Sequence, residues 1–510
     1  MPSHSPKILS LAIATTLLLS ACSSLAPHPY SKEEKNDRIL ADRAHMYGQQ
    51  EPVTAPITFY EAAARALKYN LDYRLKLMES ALAADLRDVS SHEMLPRLVA
   101  SAGYSGRNND SGGTSIGIQD REESLRASTS QERYRDLAGL GASWSLLDFG
   151  MAYYRTQQKT DQILMAEERR RKVAQNVLQD VRNAYWRALG AQRLLPDVNR
   201  LLVRTEQALD AARQAEAKGL LPRQEILAYQ RALLDSISLL TVRRQDLEFA
   251  QAELAALMSL PPGTRLTLAE QAEPPMQSLD IDIERLGLLA PENRPEIMEE
   301  WYRKRVNEND LKIAKAQLWP NVSLNWGYQY DSNKYLYNNH WSETGVQVSL
   351  NLLRLMQLPA LLNAEGSQDA ADDTRRIALS MAVLTQVRVG ALRYQLAHQE
   401  MEFAELGMRV DQGLLDYARA ARSSSIGSEL EVIRAEGRYL LSRYQREAAY
   451  SSTQAAWGRL YNSIGLDVLP QAIDQHDIKT LAQEIQLTLE SQEAQSLRVS
   501  TQGSSHAVTP

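Results

Sequence analysis

The chain has 510 residues, a formal net charge of −6, one cysteine and eight histidines. The mild charge, without any basic block, excludes a nucleic-acid partner, and a single cysteine excludes a disulfide within the chain. The histidines are scattered without metal-ligand spacing, and no nucleophile motif accompanies them. We therefore predict that the protein is not an enzyme and holds no metal or other cofactor, apart from the covalent lipid considered next.

The N-terminus is predicted to be a targeting segment. A short apolar run at 8–19 is too short for a resident membrane helix. It leads into Leu-Ser-Ala-Cys, ending at Cys22, which resembles the lipobox of bacterial lipoproteins. The resemblance implies a signal peptide at 1–21, a covalent lipid on Cys22, and sorting to the outer membrane because Ser23 follows. An ordinary secretory signal with a coincidental cysteine is the alternative.

The chain after this segment is predicted to alternate long helices with paired strands. Residues 22–57 are polar and predicted to be irregular, and a pattern rich in Ala, Leu, Arg and Glu predicts a helix from 58 to about 93. Alternating apolar residues predict strands at about 97–105 and 138–149, separated by a polar loop. A helical pattern then covers 151–217, a length of roughly 100 Å at 1.5 Å per residue.

A second long helix is predicted after a turn near Gly219. From Pro222 onward, an apolar residue recurs every seven positions, as in the seam of a coiled coil. The seam consists of Ile226, Leu233, Leu240, Leu247 and Leu254. The residues at 271–292 include prolines and are predicted to be a linker.

The second half of the chain repeats the first. Pro96-Arg97-Leu98 and Gly103-Tyr104 recur, with the same internal spacing, as Pro320-Asn321-Val322 and Gly327-Tyr328. We therefore predict a duplication, with one repeat at 58–270 and another at 293–470.

Within the second repeat, alternation predicts strands at about 320–331 and 342–352. Long helices are predicted at about 361–422 and 429–462, joined by a turn near Gly427. The tail at 471–510 is rich in Gln and Ser and is predicted to be disordered beyond about Thr488.

The four strands favour a membrane β-barrel. Each has about ten residues that are apolar on one side only, and aromatic residues predicted to lie at the membrane interface are Tyr104, Trp144, Trp326 and Tyr328. Open sheet edges are not tolerated in hydrocarbon, and about eight strands are needed to close a barrel. Such strands therefore require an oligomer. The alternative is a soluble amphipathic sheet packed on helices.

The order of these elements resembles the TolC family of outer-membrane efflux proteins over about 58–470. The supporting motifs are Trp144-Ser145-Leu146-Leu147-Asp148-Phe149-Gly150, Arg294-Pro295-Glu296 and the two glycine turns. The resemblance implies a mainly α fold with a small membrane β-sheet, in a homotrimer whose α-barrel continues into a 12-stranded outer-membrane β-barrel. It implies a passive exit duct of a tripartite efflux or type I secretion system. The implied partners are a periplasmic adaptor and an inner-membrane pump of the RND or ABC type.

The resemblance also implies roles for residues at the helix-hairpin turns. The periplasmic entrance and adaptor contact correspond to Gly219, Leu220, Gly427 and Ser428. A charge constriction beside them corresponds to Glu225, Glu429, Glu431 and Arg434. Our hypothesis is that Glu225 and Glu431 narrow the entrance and attract cations, and that Arg434 takes part in pairing between subunits. A mixed-charge latch of Glu429, Arg434 and Glu436 is a second arrangement, and solvated surface charges are the plain alternative.

The resemblance places the protein in the outer membrane of a Gram-negative bacterium, lipid-anchored and with a large periplasmic portion. Two other classes compete with a duct: a periplasmic, lipid-anchored adaptor and a helical scaffold without a pore. Adaptors contain one helical hairpin inserted into compact β-domains, whereas this chain has two hairpins, each preceded by paired strands. The sequence does not identify a cargo.

Overall fold

The computed structural model describes residues 29–48, 50–124, 126–218, 222–264, 266–270, 283–425, 428–465, 473 and 476–503. The predicted lipidation site, Cys22, lies outside them. The chain forms two compact units, Met1–Pro52 and Val53–Pro510.

In the first unit, the described residues contain one helix, α1 (Lys32–Tyr47). The prediction of irregular structure at 22–57 is therefore wrong over this span. Ser31 Oγ accepts the Glu34 backbone N–H at 3.1 Å, and the Glu34 carboxylate accepts the Ser31 N–H at 2.8 Å. This capping box satisfies two free donors at the helix start, and Ser-x-x-Glu is its recognisable sequence signature.

The first repeat begins with two helices where one was predicted. These are α2 (Phe59–Tyr69) and α3 (Leu71–His92). Asn70 separates them, because its extended backbone ends α2 and its side-chain oxygen accepts the Tyr73 N–H at 3.0 Å as the N-cap of α3.

The rest of the first repeat is strand β1 (Arg97–Gly106), two short strands β2 (Gly112–Gly113) and β3 (Ser128–Thr129), strand β4 (Tyr134–Ser145), and helices α4 (Leu146–Ala217) and α5 (Arg223–Leu257). The predicted strand at 138–149 runs too far. Ser145 ends it by accepting the Asp148 N–H at 3.0 Å, which caps α4.

The second repeat contains α6 (Ile283–Asn293), α7 (Pro295–Ala316), β5 (Asn321–Asp331), β6 (His340–Ser349), a 3-10 helix (Leu352–Gln357), α8 (Leu358–Ser423) and α9 (Glu429–Ile464). Helix α6 occupies part of the predicted linker at 271–292, whose first part, 271–282, lies outside the described residues. The predicted strand at 342–352 is likewise too long at its end, where the 3-10 helix begins. The last helix is α10 (Ile478–Gly503), which extends past Thr488; the disorder expected there stays a prediction.

The four long strands form one antiparallel sheet in the order β1–β4–β5–β6. The strands of the first repeat therefore meet those of the second at the β4–β5 pair. Among the described residues, β1 pairs with β4 alone and β6 with β5 alone, so the sheet has two open edges.

The long helices pack side by side around α4. Helices α3 and α5 contact α4, as do α7 and α9 of the second repeat, and α8 in turn packs on α7 and α9. In the described part of the chain, α3 and α5 make no substantial contact with α8. These two short helices and α8 are therefore the outer members of the layer.

The predicted heptad seam is confirmed, since all five of its residues on α5 are buried. A second core lies where α2 and α10 pack together and α2 contacts α4. There the Tyr185 hydroxyl donates to the Ile57 carbonyl at 3.2 Å, and burial raises the pKa of Tyr185 to about 12.

Candidate functional site

Alternate residues of the sheet give it one apolar and one polar face. Even-numbered residues pair with even-numbered residues in every ladder, as in Leu98–Ala142, Ala142–Trp326 and Trp326–Thr344. Because successive side chains point to opposite faces, these positions share one face. The even face includes Leu98, Ala100, Ala102, Tyr104, Tyr134, Ala138, Leu140, Ala142, Trp144, Val322, Leu324, Trp326, Tyr328, Tyr330, Val346 and Val348. Asp136, His340, Ser342 and Thr344 interrupt it.

The opposite, odd-numbered face is mainly small and polar, although Val99, Leu137 and Trp341 interrupt it. It includes Ser101, Gly103, Gly139, Gly141, Ser143, Asn325, Gly327, Gln329, Glu343, Gly345 and Gln347. Every residue of β6 is exposed, as are nine of the ten in β1. An apolar face left open to this extent indicates contact with lipid or with another apolar surface.

The four aromatic residues predicted at the membrane interface all lie on the even face. Tyr104 stacks on Tyr134, with ring centroids 6.2 Å apart. Trp326 and Tyr328 are partly exposed on β5, and Trp144, near the helical end of the sheet, donates from Nε1 to the Met94 carbonyl at 3.2 Å. Their amphipathic character suits an interface, and that role stays a prediction.

The loops at the opposite end of the sheet are fastened to each other. Asn333, in the β5–β6 loop and 2% exposed, donates to the Ser130 carbonyl at 2.8 Å and accepts the Glu132 N–H at 3.1 Å. Lys334 pairs with Glu132 at 2.9 Å, and the hydrogen bond lowers the pKa of the carboxylate. Sequence patterns showed only polar loops here, because such pairing between loops follows no local period.

At the far ends of the helices, the two hairpin turns begin their second helices differently. Gly219, Leu220 and Gly427 lie outside the described residues. Pro222 precedes α5 without a side-chain cap. Ser428, by contrast, caps α9 by accepting the Glu431 N–H at 3.2 Å, and the Glu431 carboxylate accepts the Ser428 N–H at 2.8 Å.

The two predicted entrance glutamates are therefore placed differently. Glu431 is exposed, and its carboxylate is engaged in the capping box. Glu225 is exposed in the first turn of α5, and its side chain has no hydrogen-bond or ion-pair partner in the part of the chain that the structure describes.

Glu429 belongs to a cluster of charges that joins three helices beside the second turn. We call this cluster the latch; it consists of Arg204, Arg419, Arg422, Glu429 and Glu436. Arg204 of α4 pairs with Glu429, and with Glu436 at 2.7 Å. From α8, Arg419 reaches Glu436 at 3.0 Å and Arg422 reaches Glu429 at 3.5 Å. The hydrogen bond from Arg204 holds the pKa of Glu429 below its ordinary value of 4.5.

Arg434 is not part of this cluster, so the mixed-charge latch of Glu429, Arg434 and Glu436 is corrected. The cations are Arg204, Arg419 and Arg422, which come from other helices. Sequence reasoning missed them because nothing local marks a partner more than two hundred positions away, as for Arg204. Arg434 instead lines a cavity of about 390 Å³ between α5 and α9, with Asp235 and Arg438.

The outer helices of the layer carry rows of exposed apolar residues. Their spacings of three, four, seven, eight or eleven residues place each row on one side of its helix. The row on α3 is Leu71, Leu75, Met78, Leu82, Leu86 and Val89, and that on α5 is Leu227, Leu234, Val242 and Phe249. The row on α8 is Ile377, Met381, Leu384, Leu392, Phe403, Leu406, Val410, Leu414 and Tyr417. Such rows indicate helices that lack their packing partners.

The described residues contain no group of three or more His, Cys, Asp or Glu side chains suited to holding a metal ion. Within the same residues, none of the helices combines the length and the apolar character needed to cross a membrane.

Comparison with protein families gives a match over both repeats. Residues 64–259 and 287–466 match the family model described as outer membrane efflux protein. A comparison with curated proteins finds no match.

Solved structures of outer-membrane channels have similar folds at low identity. The Campylobacter jejuni CmeC outer membrane channel is 11% identical with a TM-score of 0.63, covering 86% of this chain and 94% of that chain. The open state of the Neisseria gonorrhoeae MtrE outer membrane channel is 15% identical with a TM-score of 0.61, covering 82% and 94%. The outer-membrane channel OprN is 18% identical with a TM-score of 0.59, covering 80% and 89%. At these identities the similarity establishes the fold.

Proposed function

This chain belongs to the outer membrane efflux protein family, and we propose that three copies of it assemble head to tail into a passive exit duct of a tripartite efflux or type I secretion system. The sheets would form a twelve-stranded outer-membrane barrel, and the helices a hollow α-barrel in the periplasm. The observation that carries this proposal is a contact between the repeats that is made on one side of the chain and left unmade on the other.

The contact that is made lies at α4, the long helix of the first repeat. Its neighbours include α7 and α9, the short helices of the second repeat, while β4 pairs with β5 in the sheet. We call this the filled junction. Polar bonds fasten it: Asp161 pairs with Arg305, and Asp197 with Arg443 at 2.6 Å.

The unmade contact lies at α8, the long helix of the second repeat. By the same repeat pattern, α8 should receive short helices of a first repeat, and β6 should pair with a β1. Within one chain, α3 and α5 are instead outer members on the far side of the layer, and β1 and β6 are edges. We call the α8 row, the α3 and α5 rows and the two edge strands the open junction.

A second copy can fill this junction. The 22 residues of α3 and the 35 of α5 together are similar in length to the 66 residues of α8. All three helices expose apolar rows. A head-to-tail contact of this kind generates a ring when its rotation closes. With four strands per copy, two copies would already supply the minimum of about eight strands that closes a barrel. The family resemblance favours three copies. Pairing β6 with a neighbour's β1 removes both edges, as hydrocarbon requires.

The remaining parts of the proposal concern anchoring and partners. Cys22 would carry the covalent lipid, with the barrel itself holding the protein in a Gram-negative outer membrane. The turns at Gly219, Leu220, Gly427 and Ser428 would contact a periplasmic adaptor. An inner-membrane pump of the RND or ABC type would supply the energy, because nothing in a passive duct does so.

The entrance would be narrowed by charges at the same turns. Glu225 has no partner among the described residues of one copy. In a threefold assembly it would lie near groups of a neighbour, which could supply one. Glu431, Arg434 and the latch lie beside the other turn. Charge rings of this kind set ion preference in pores. Replacing Glu225 and Glu431 by Gln should raise leak and lower cation preference; unchanged single-channel currents and preference would contradict these roles.

The duct is tested by mass and conductance on detergent-solubilised, full-length protein. We expect a trimer that conducts in a planar bilayer. A stable, water-soluble monomer without conductance would overturn the proposal and support the periplasmic adaptor or helical scaffold. In a separate arm, Cys22→Ala should abolish fatty-acid labelling; persistent labelling would contradict the anchor without bearing on the duct.

A further inference from the structure

An open, basic groove lies within one copy, between α4, α8, α9 and the start of α7. Its volume is about 920 Å³. On α8 its lining extends from Thr385 to Glu400, roughly 22 Å at 1.5 Å per residue. The groove exists because the buried residues along its floor are small. They include Gly390, Ala397, Ser451, Ala455 and Ala456.

Positive charge accumulates in this groove although the whole chain has a net charge of −6. The charged lining consists of Lys172, Arg187, Arg294, Arg393 and Arg459, against Glu296 and Glu400. A cleft lined mainly by one sign of charge raises the local concentration of oppositely charged solutes. The groove therefore favours anions.

Only part of this charge is neutralised by partners. Lys172 and Arg294 both pair with Glu296, at 2.9 and 3.0 Å, and Arg187 pairs with Glu253 of α5 at 2.7 Å. Among the described residues, Arg393 and Arg459 form no direct ion pair; the charge of Arg459 acts on Asp180 only at longer range.

Apolar side chains line the same groove as these two arginines. Val389 and Leu396 line the groove and are 42% and 55% exposed. A planar guanidinium can bind a carboxylate or sulfonate through two parallel hydrogen bonds. A ligand that uses both features needs an anionic group and an apolar body.

We propose that this groove binds amphiphilic organic anions, with Arg393 and Arg459 recognising the charge and Val389 and Leu396 contacting the apolar part. This goes beyond a passive duct, because it assigns a binding site inside each copy.

The test uses carboxyfluorescein, an aromatic anion, and fluorescence anisotropy with the full-length protein in a non-ionic detergent. Rhodamine 123, a methyl ester with the same ring system and a net positive charge, is the control ligand. We expect carboxyfluorescein to bind at least tenfold more tightly than rhodamine 123, and its affinity to fall as salt screens the charges.

Variants locate the site. Arg393→Gln with Arg459→Gln should weaken carboxyfluorescein binding at least tenfold, whereas Arg213→Gln with Arg231→Gln, which removes two exposed arginines elsewhere, should change it less than twofold. Leu396→Ser should weaken carboxyfluorescein binding severalfold. It should leave unchanged how well pyrophosphate, an anion without an apolar part, competes with the dye.

Equal effects of the two arginine pairs, or equal affinity for the two dyes, would overturn the proposal. If pyrophosphate competed for the groove as strongly as carboxyfluorescein binds it, a site for amphiphiles would be contradicted. Binding is measured without conductance, so its failure and failure of the duct are separate outcomes.

Discussion

The filled and open junctions involve equivalent elements of the two repeats, yet only the filled one is packed within the chain. There, an apolar core is shared by α4 and α9, and polar pairs such as Asp161–Arg305 and Asp197–Arg443 cross between α4 and the short helices of the second repeat. At the open junction, the side chains left exposed on α3, α5 and α8 include long rows of Leu, Val, Met, Phe and Tyr. The filled junction keeps the chain folded, whereas in the proposed assembly the open junction must attract a separate molecule.

In the proposed assembly, the contacts that one duplicated chain leaves unmade are those that specify a ring. Association costs translational and rotational freedom that a contact within one chain does not. Apolar burial, worth about 25 cal/mol per Å², offsets that cost without the desolvation penalty that ionic groups carry. The apolar rows at the open junction therefore suit assembly.

The largest expected effect comes from a charge placed in the open junction. Phe403→Asp, on α8 where the side chain is 72% exposed, should prevent trimer formation. Burying an unpaired carboxylate costs several kcal/mol, and each 1.4 kcal/mol is about a tenfold change in affinity. Native mass measurement in detergent would show monomers, and bilayer conductance would be lost.

The matched control for this change is Leu288→Asp, on the exposed side of α6. It should leave the mass of the trimer unchanged. If Phe403→Asp remained trimeric, the α8 row would not be the surface between copies, and the comparison of the two junctions would fail.

A smaller effect is expected at the filled junction. Asp161→Ala removes a nearly buried carboxylate that pairs with Arg305 of α7, itself about half exposed. Losing a charged hydrogen bond there should cost about 1.5–3 kcal/mol, seen as a lower thermal midpoint with the trimer mass retained before unfolding. Asp210→Ala, which breaks an exposed pair with Arg213 on the same helix, should cost less than about 0.5 kcal/mol. Equal losses from the two variants would contradict a fastening role for Asp161.

The latch tests whether the filled junction also controls the entrance. Arg204→Gln removes the cation that joins α4 to Glu429 and Glu436 of α9, and should raise leak current severalfold. The pKa of Glu429 is lowered in the folded protein, so its contribution is present above pH 4.5 and is lost as the pH falls through the lowered value. Leak should therefore rise below pH 4.5 in the unmodified protein.

In Arg204→Gln this rise with acid should be smaller. Arg434→Gln is the companion variant, because Arg434 is absent from the latch within one copy. If it raised leak as much as Arg204→Gln, pairing between subunits, rather than the latch, would hold the entrance narrow.

Much of this architecture could be predicted from periodicity, and the exceptions have identifiable causes. The seam from Ile226 to Leu254 and the alternation from Val322 to Tyr330 are repeated signals, and both correspond to the observed packing and pairing. The helix break at Asn70 depends on a single side chain, which a pattern averaged over many residues does not register.

The partners of the candidate site residues were harder to predict. The pairing of Glu429 with Arg204 requires α4 and α9 to lie together, and no local spacing indicates that. The local capping box of Ser428 and Glu431, by contrast, has a sequence signature, although the family resemblance implies a role in the entrance for the same residues. Pairs between residues far apart in the chain can be identified only from the fold, whereas helix caps can be recognised from the sequence.

The smallest expected effect concerns the two turns. Ser428→Ala removes a cap that the first-repeat turn lacks, since Pro222 offers no side-chain acceptor. Loss of this cap should cost about 1 kcal/mol. The hydrogen exchange of the Glu431 amide should therefore be roughly fivefold faster, with no change in trimer mass. Ser424→Ala, in the same turn but outside the capping box, should leave that exchange rate unchanged. If Ser428→Ala also left it unchanged, the two turns would be equally stable without the cap, and their divergence would have to reside in the latch.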